Sequence, residues 1–236
     1  MIARPPIDDA AEPPFAGFPP EGIAFLRRLK RNNNRPWFQA HRQEYEDFVR
    51  FPMRCLVAAL RTRMRESAPE FLFDANRAVF RIHRDTRFSP DKTPYKTNIA
   101  AAFDLRGNRG AVERPGFYVS VEPGGASVGG GLYMPASIQL KAIRRSIAGQ
   151  PESYLAVVQD RKFRRMFGDV AGETLVRAPQ GFPVDHPMID HLRRKQFYVI
   201  RSLPEGACLR PAFVETVAET FERALPLVRW LVAAGA

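Results

Sequence analysis

Cysteine is scarce in this chain: Cys55 and Cys208 are the two present among 236 residues. A secreted disulfide scaffold needs a denser framework, and neither cysteine has neighbours at metal-ligand spacing. Both are expected to be buried free thiols. Long apolar runs are absent too, with none approaching the ~20 residues that span a bilayer. The opening Met1-Ile2-Ala3-Arg4-Pro5-Pro6 lacks the apolar stretch of a secretory signal. No nucleophile elbow, P-loop or metal triad occurs, and Gly129-Gly130-Gly131 is not followed by the Lys and Ser or Thr of a phosphate-binding loop. No helix-turn-helix, zinc-finger or RNP-like pattern is present. These absences point to a soluble cytoplasmic protein with no membrane segment and no metal, and they identify no cofactor.

What is present is an ordinary globular composition, 45% apolar and 26% charged, with 18 Phe to build a core. The length favours one large domain. The formal charge is +11. Such a charge attracts polyanions at long range, nucleic acid among them. An Arg-heavy, Ala-heavy coding bias that fills the surface with Arg accounts for it equally simply.

Residues 1–18 read as a Pro-rich leader with acidic Asp8, Asp9 and Glu12, contributing little until Phe15 or Phe18 docks. Pro19-Pro20-Glu21 opens a helix carrying Ile23, Phe25, Leu26 and Leu29. Asn32-Asn33-Asn34 ends it, Asn being tolerant of the left-handed C-terminal position. Pro36 suits the first turn of an amphipathic helix with Trp37, His41, Tyr45, Phe48 and Val49, kinked at Pro52. A further helical stretch holds Leu56, Leu60 and Met64.

From Ala75 to Pro135 the period becomes two. Four strands are expected: Val79–Arg84, Asn98–Leu105, Gly116–Glu122 and Ser127–Tyr133, with turns at 106–110 and 123–125. Ser137 then caps a helix through Leu140 and Ile147, and another holds Leu155 and Phe163. Residues 196–200 read as a strand, and 211–232 as a last helix. The fold expected is α+β over 19–236, a mainly antiparallel sheet of four or more strands flanked by N- and C-terminal helices.

The densest chemistry lies between Arg81 and Asn98. Pro90 and Pro94 stiffen this loop, which can present cations to a phosphate or carboxylate at small ordering cost. Asp85 and Asp91 can equally pair the loop's own Arg and Lys. Asn32-Asn33-Asn34-Arg35-Pro36-Trp37-Phe38, the block Arg84-Asp85-Thr86-Arg87-Phe88-Ser89-x-Asp91-Lys92-x-Pro94-Tyr95-Lys96, Gly116-Phe117-Tyr118 and Gly129-Gly130-Gly131-x-Tyr133-x-Pro135 together resemble a conserved hypothetical family, a bacterial and fungal domain of unknown function. The resemblance covers about residues 20–200. It implies a globular α+β domain and carries no reaction, cofactor or catalytic residue.

Alternation divides the expected sheet into two faces. Phe80, Ile82, Ile99, Ala101, Phe103, Phe117, Val119, Val121, Val128 and Leu132 share a core face. The other face collects Arg81, His83, Asp85, Asn98, Ala100, Ala102, Tyr118, Ser120, Glu122, Gly129, Gly131 and Tyr133. A floor of Ala and Gly rimmed by polar groups suits either a shallow pocket or a closely packed helix. As a pocket it would bind a small anionic or phosphorylated ligand through Arg81, Arg84, Asp85, Arg87, Lys92, Lys96, Tyr118 and Tyr133. Two alternatives stand beside this: an enzyme using His83 and Glu122 as an acid–base pair, and a nucleic-acid-associated protein using distributed Arg and Lys. His41 reads as structural. His186 and His191, five apart, are a poor metal pair. Arg161-Lys162-x-Arg164-Arg165 and Arg193-Arg194-Lys195 read as solvated helix faces.

Overall fold

The computed structural model describes residues 12–71, 74–87, 90–105 and 113–235. The N-terminal half is helical: α1 (Pro20–Arg31), α2 (Arg35–Ala40), α3 (Arg42–Tyr45), a π-helical turn (Glu46–Arg50), α4 (Phe51–Arg63) and α5 (Ala75–Ala78). A sheet follows, with β1 (Ile99–Asp104), β2 (Gly116–Glu122) and β3 (Gly125–Leu132). Then come α6 (Ser137–Gly149), α7 (Pro151–Val158), α8 (Arg161–Phe167), α9 (Ile189–Leu192), β4 (Phe197–Pro204), α10 (Glu205–Cys208) and α11 (Phe213–Ala233). The sheet order is β1-β2-β3-β4, antiparallel throughout. The fold is α+β, and no helix among the described residues is long and apolar enough to cross a membrane.

The core face of the sheet is the one that alternation assigns to β1, β2 and β3. Phe103, Phe117, Val119, Val121, Val128 and Leu132 are all buried. Helix α11 covers that face: Phe221 stacks on Phe117 at 4.8 Å and meets Phe103 edge-on at 5.7 Å. Phe71 also packs against Phe117, tilted, at 4.8 Å. Both cysteines are buried free thiols.

Local differences from the expected elements have identifiable causes. Asn32 ends α1 at φ −127°, outside the left-handed region, and Asn34 caps α2 by accepting from Trp37 N–H at 3.0 Å. The expected single helix through Trp37 and Pro52 is broken at His41 and passes through a π turn just before Pro52. Proline has no N–H to complete the regular ladder there. Ser137 is the first residue of α6 and does not cap it, since the Gln139 Oε1 accepts from Ala136 N–H at 2.7 Å. Phe15 and Phe18 are buried, touching edge-to-face at 5.7 Å, and Phe15 also meets Phe213 at 6.4 Å. That burial runs against the expectation that the whole leader contributes little. The acidic residues Asp8 and Asp9 and the turn at 106–110 lie outside the described residues.

The expected strand Val79–Arg84 is the main correction. It makes two isolated antiparallel bridges, Val79 with Ala101 and His83 with Tyr95. Three residues (80–82) separate the bridges on one side and five (96–100) on the other. That mismatch prevents a regular ladder, so simple alternation fails along the segment. The fourth strand is instead β4, which carries the 196–200 segment to the edge beside β3.

Candidate functional site

The face of the sheet turned away from α11 is open. Its register sets residues in rows across the strands. Gly116, Gly131 and Tyr198 are aligned at one end, then Ala102 with Tyr118, then Ala100, Ser120 and Ser127, then Glu122 with Gly125 at the other end. Asn98 precedes β1 beside the Glu122 row. A cavity of about 550 Å³ lies over this face. Its floor is Ala100, Ala102, Gly116 and Gly131, and its walls include Phe80, Tyr118, Tyr133, Tyr198 and Ile200. Lys96, Asn98, Ser120, Glu122 and Ser127 supply its polar groups. That volume falls within the ordinary size of small-molecule sites.

The glycines here serve the sheet before they serve the cavity. A Cβ at Gly129 would lie 1.8 Å from the Val199 carbonyl oxygen, and Gly131 has φ +130°. The β4 backbone approaches β3 at these positions so closely that a Cβ would clash with it.

Tyr118 stands on the floor, half-buried. Burial pushes its phenol above the usual range, the nearby Glu122 and Tyr133 push the same way, and hydrogen bonding with Ser120 and Asn98 pulls it back in part. Lys96 holds its ammonium 5.1 Å from the centre of the Phe80 ring. Its proton affinity is lowered by burial, then by the Arg81 and Arg84 charges. Phe80 also meets Tyr118 at 6.4 Å, and Tyr133 meets Tyr198 edge-on at 5.3 Å.

Of the candidates picked out by alternation and motif, Lys96, Tyr118, Glu122 and Tyr133 line this one cavity, and Arg81, His83, Arg84, Asp85, Arg87 and Lys92 do not. Phe80, expected in the core, lines the cavity instead, because its segment is not a regular strand. Three of the loop cations are held within their own loop. Arg87 donates to both Asp85 carboxylate oxygens (3.1 and 2.7 Å), Arg84 pairs with Asp91 at 2.7 Å, and Lys92 donates to the Thr86 carbonyl at 2.9 Å. His83 packs its ring near Tyr95 (5.3 Å) and Phe38 (6.5 Å). Phe88 and Ser89 of the same block lie outside the described residues.

Tyr198 and Ile200 escaped sequence reasoning because nothing local says which strand 196–200 pairs with. Their alternation with buried Phe197 and Val199 was the available signal. Elsewhere, His41 stacks on Trp37 at 4.1 Å and its Nδ1 bonds the Trp37 carbonyl, a structural arrangement. Arg194 and Lys195 are ion-paired with Asp169 (3.0 Å) and Glu173 (2.8 Å).

No curated protein matches the chain. One family model does, over residues 21–230, a span that takes in the Asn-rich turn, the 84–96 block and every residue lining the cavity. The chain thus belongs to DUF2461, a family of conserved hypothetical proteins.

Proposed function

We propose that this protein binds a small anionic ligand in the sheet-face cavity, with Lys96 receiving the negative charge. The observation that carries this is the state of the cations. Arg84 and Arg87 already have carboxylate partners in the loop, whereas Lys96 lines the cavity with no ion pair to any described residue. A half-buried ammonium without a carboxylate gains a charge-assisted hydrogen bond when an anion arrives. Tyr118, Asn98 and the serines offer further donors along the same floor. The paired loop beside the cavity holds the Lys96 backbone in place: Lys96 N–H donates to the Ile82 carbonyl at 2.8 Å.

His83 and Glu122 do not favour acid–base catalysis as a pair, since only Glu122 faces the cavity. The binding reading is tested by thermal shift against inorganic phosphate, small phosphomonoesters and small carboxylates. Stabilisation by one anion class, lost in Lys96→Gln and retained in Arg87→Gln, is the expected result. Equal shifts in wild type and Lys96→Gln would remove the proposal.

A further inference from the structure

The register divides the cavity by polarity. Asn98 and Glu122 lie at the end next to the β2–β3 turn, followed by a row of Ala100, Ser120 and Ser127. Past that row, Ala102 and Ile200 flank Tyr118, then Gly116 and Gly131 come beside Tyr198, and Tyr133 closes the far end. Asp104, at the β1 end of the Gly116 row, is buried and does not line the cavity.

The polar groups gather in the first half. The Phe80 N–H donates to the Ala100 carbonyl at 2.9 Å, which anchors Phe80, and the Lys96 ammonium over its ring, beside the Ala100 row. The Tyr118 hydroxyl is hydrogen-bonded with Ser120 and Asn98, so it turns towards the same half and leaves its ring to the other. Six residues separate Ser127 from Tyr133, roughly 20 Å at strand rise.

A ligand that fills this space needs an anionic head and a long apolar body. One aromatic ring, or two fused, ends well short of Tyr133. An extended chain with carbon–carbon bonds of about 1.5 Å covers the distance in roughly fifteen carbons. Such a chain also bends with the twist that neighbouring strands impose on the floor, which a rigid plate does not. The Ala and Gly positions leave its path clear, and each methylene taken out of water adds to binding.

Building on the anion reading, we infer that the ligand is a straight-chain fatty acid. Its carboxylate sits at Lys96 among Asn98, Ser120 and Ser127. Its acyl chain passes Phe80 and Tyr118, follows the bare floor over Ala102 and Gly131, and ends against Tyr133 and Tyr198.

Calorimetric titration of the full chain with butanoate, octanoate, dodecanoate, dodecylamine and dodecyl phosphate, each below its aggregation concentration, tests this. Affinity should rise roughly two- to fourfold per methylene, so that dodecanoate binds at least a hundredfold more tightly than butanoate. Dodecylamine should bind at least tenfold more weakly than dodecanoate, and Lys96→Gln should weaken every carboxylate. Ala102→Leu, which puts bulk on the floor, should bring dodecanoate close to butanoate and leave butanoate unchanged. Tyr133→Ala, at an exposed position that tolerates truncation, should weaken dodecanoate alone. Affinity that does not grow with chain length, or dodecanoate binding untouched by both floor variants, overturns the acyl chain and leaves the anion reading standing. Tighter binding of dodecyl phosphate than of dodecanoate overturns the carboxylate head. Dodecanoate binding that survives Lys96→Gln and is matched by dodecylamine removes the anion reading, and this inference with it.

Discussion

Asn33 clamps Tyr95 across 62 positions of sequence: its side-chain amide donates to the Tyr95 carbonyl at 2.9 Å and accepts from the Tyr95 N–H at 3.0 Å. Phe38 adds a stacked contact with the Tyr95 ring at 4.1 Å. The Asn-rich turn and the Pro94-Tyr95-Lys96 segment are thus one structural unit, and Lys96 is positioned by it. Removing the amide in Asn33→Ala leaves two backbone groups of buried Tyr95 without partners. The expected loss is about 2 kcal/mol in urea unfolding. Asn33→Asp, which can accept but not donate, should fall between the two. Stability unchanged in Asn33→Ala would show that solvent replaces the clamp.

Gly129→Ala should be strongly destabilising although the added group is a single methyl. The Cβ would meet the Val199 carbonyl oxygen at 1.8 Å, and that atom belongs to the paired backbone of β4. Overpacking costs about 1–3 kcal/mol and occasionally more, and a clash with fixed backbone belongs at the upper end, felt in the β3–β4 register. By contrast, Gly124→Ala meets nothing but has φ +106°, so any cost there reports backbone strain alone. Comparable losses at the two sites would contradict a steric origin at Gly129.

Truncation to Gly17 removes Phe15, which is buried against Phe18 and Phe213, and Glu12, which pairs with Arg54. A variant starting at Phe18 should lose several degrees in thermal midpoint. A start at Glu12 keeps both contacts and serves as the reference. Equal midpoints for the two truncations would mean that the segment contributes little to stability.

The pH dependence of stability should carry a signature of His191. Burial and the neighbouring Arg194 hold its pKa below the ordinary 6.5, opposed by Asp169 and Asp190, and its ring lies 5.0 Å from Tyr154. The unfolded chain therefore takes up this proton first as pH falls. The contribution is complete above pH 6.5 and declines as pH drops through 6.5 towards the lower native value. Denaturant midpoints measured between neutral and mildly acidic pH should fall in wild type and fall less in His191→Gln. Parallel profiles would remove His191 as the source.

Part of this molecule can be read locally because the physical cause is local. Period-two alternation put Phe117, Val119 and Val121 on a buried face and Tyr118, Ser120 and Glu122 on the other, since the pleat sends successive side chains to opposite sides. Apolar spacing placed α1 and α11, and scarce, unclustered cysteine indicated free thiols. Tertiary structure alone decided the partners. The pairing of β4 with β3, which brings Tyr198 and Ile200 to the cavity, depends on contacts nearly 70 residues apart. The unequal spacing between two bridges, which turned Phe80 into the cavity and left Arg81 and His83 off it, has no local signal. The loop cations posed a choice that composition could not make, because Asp85 and Asp91 can face inward or outward at the same spacing. In the folded chain Asp85 pairs with Arg87 and Asp91 with Arg84, and Lys96 is the cation among the described residues that lines the cavity.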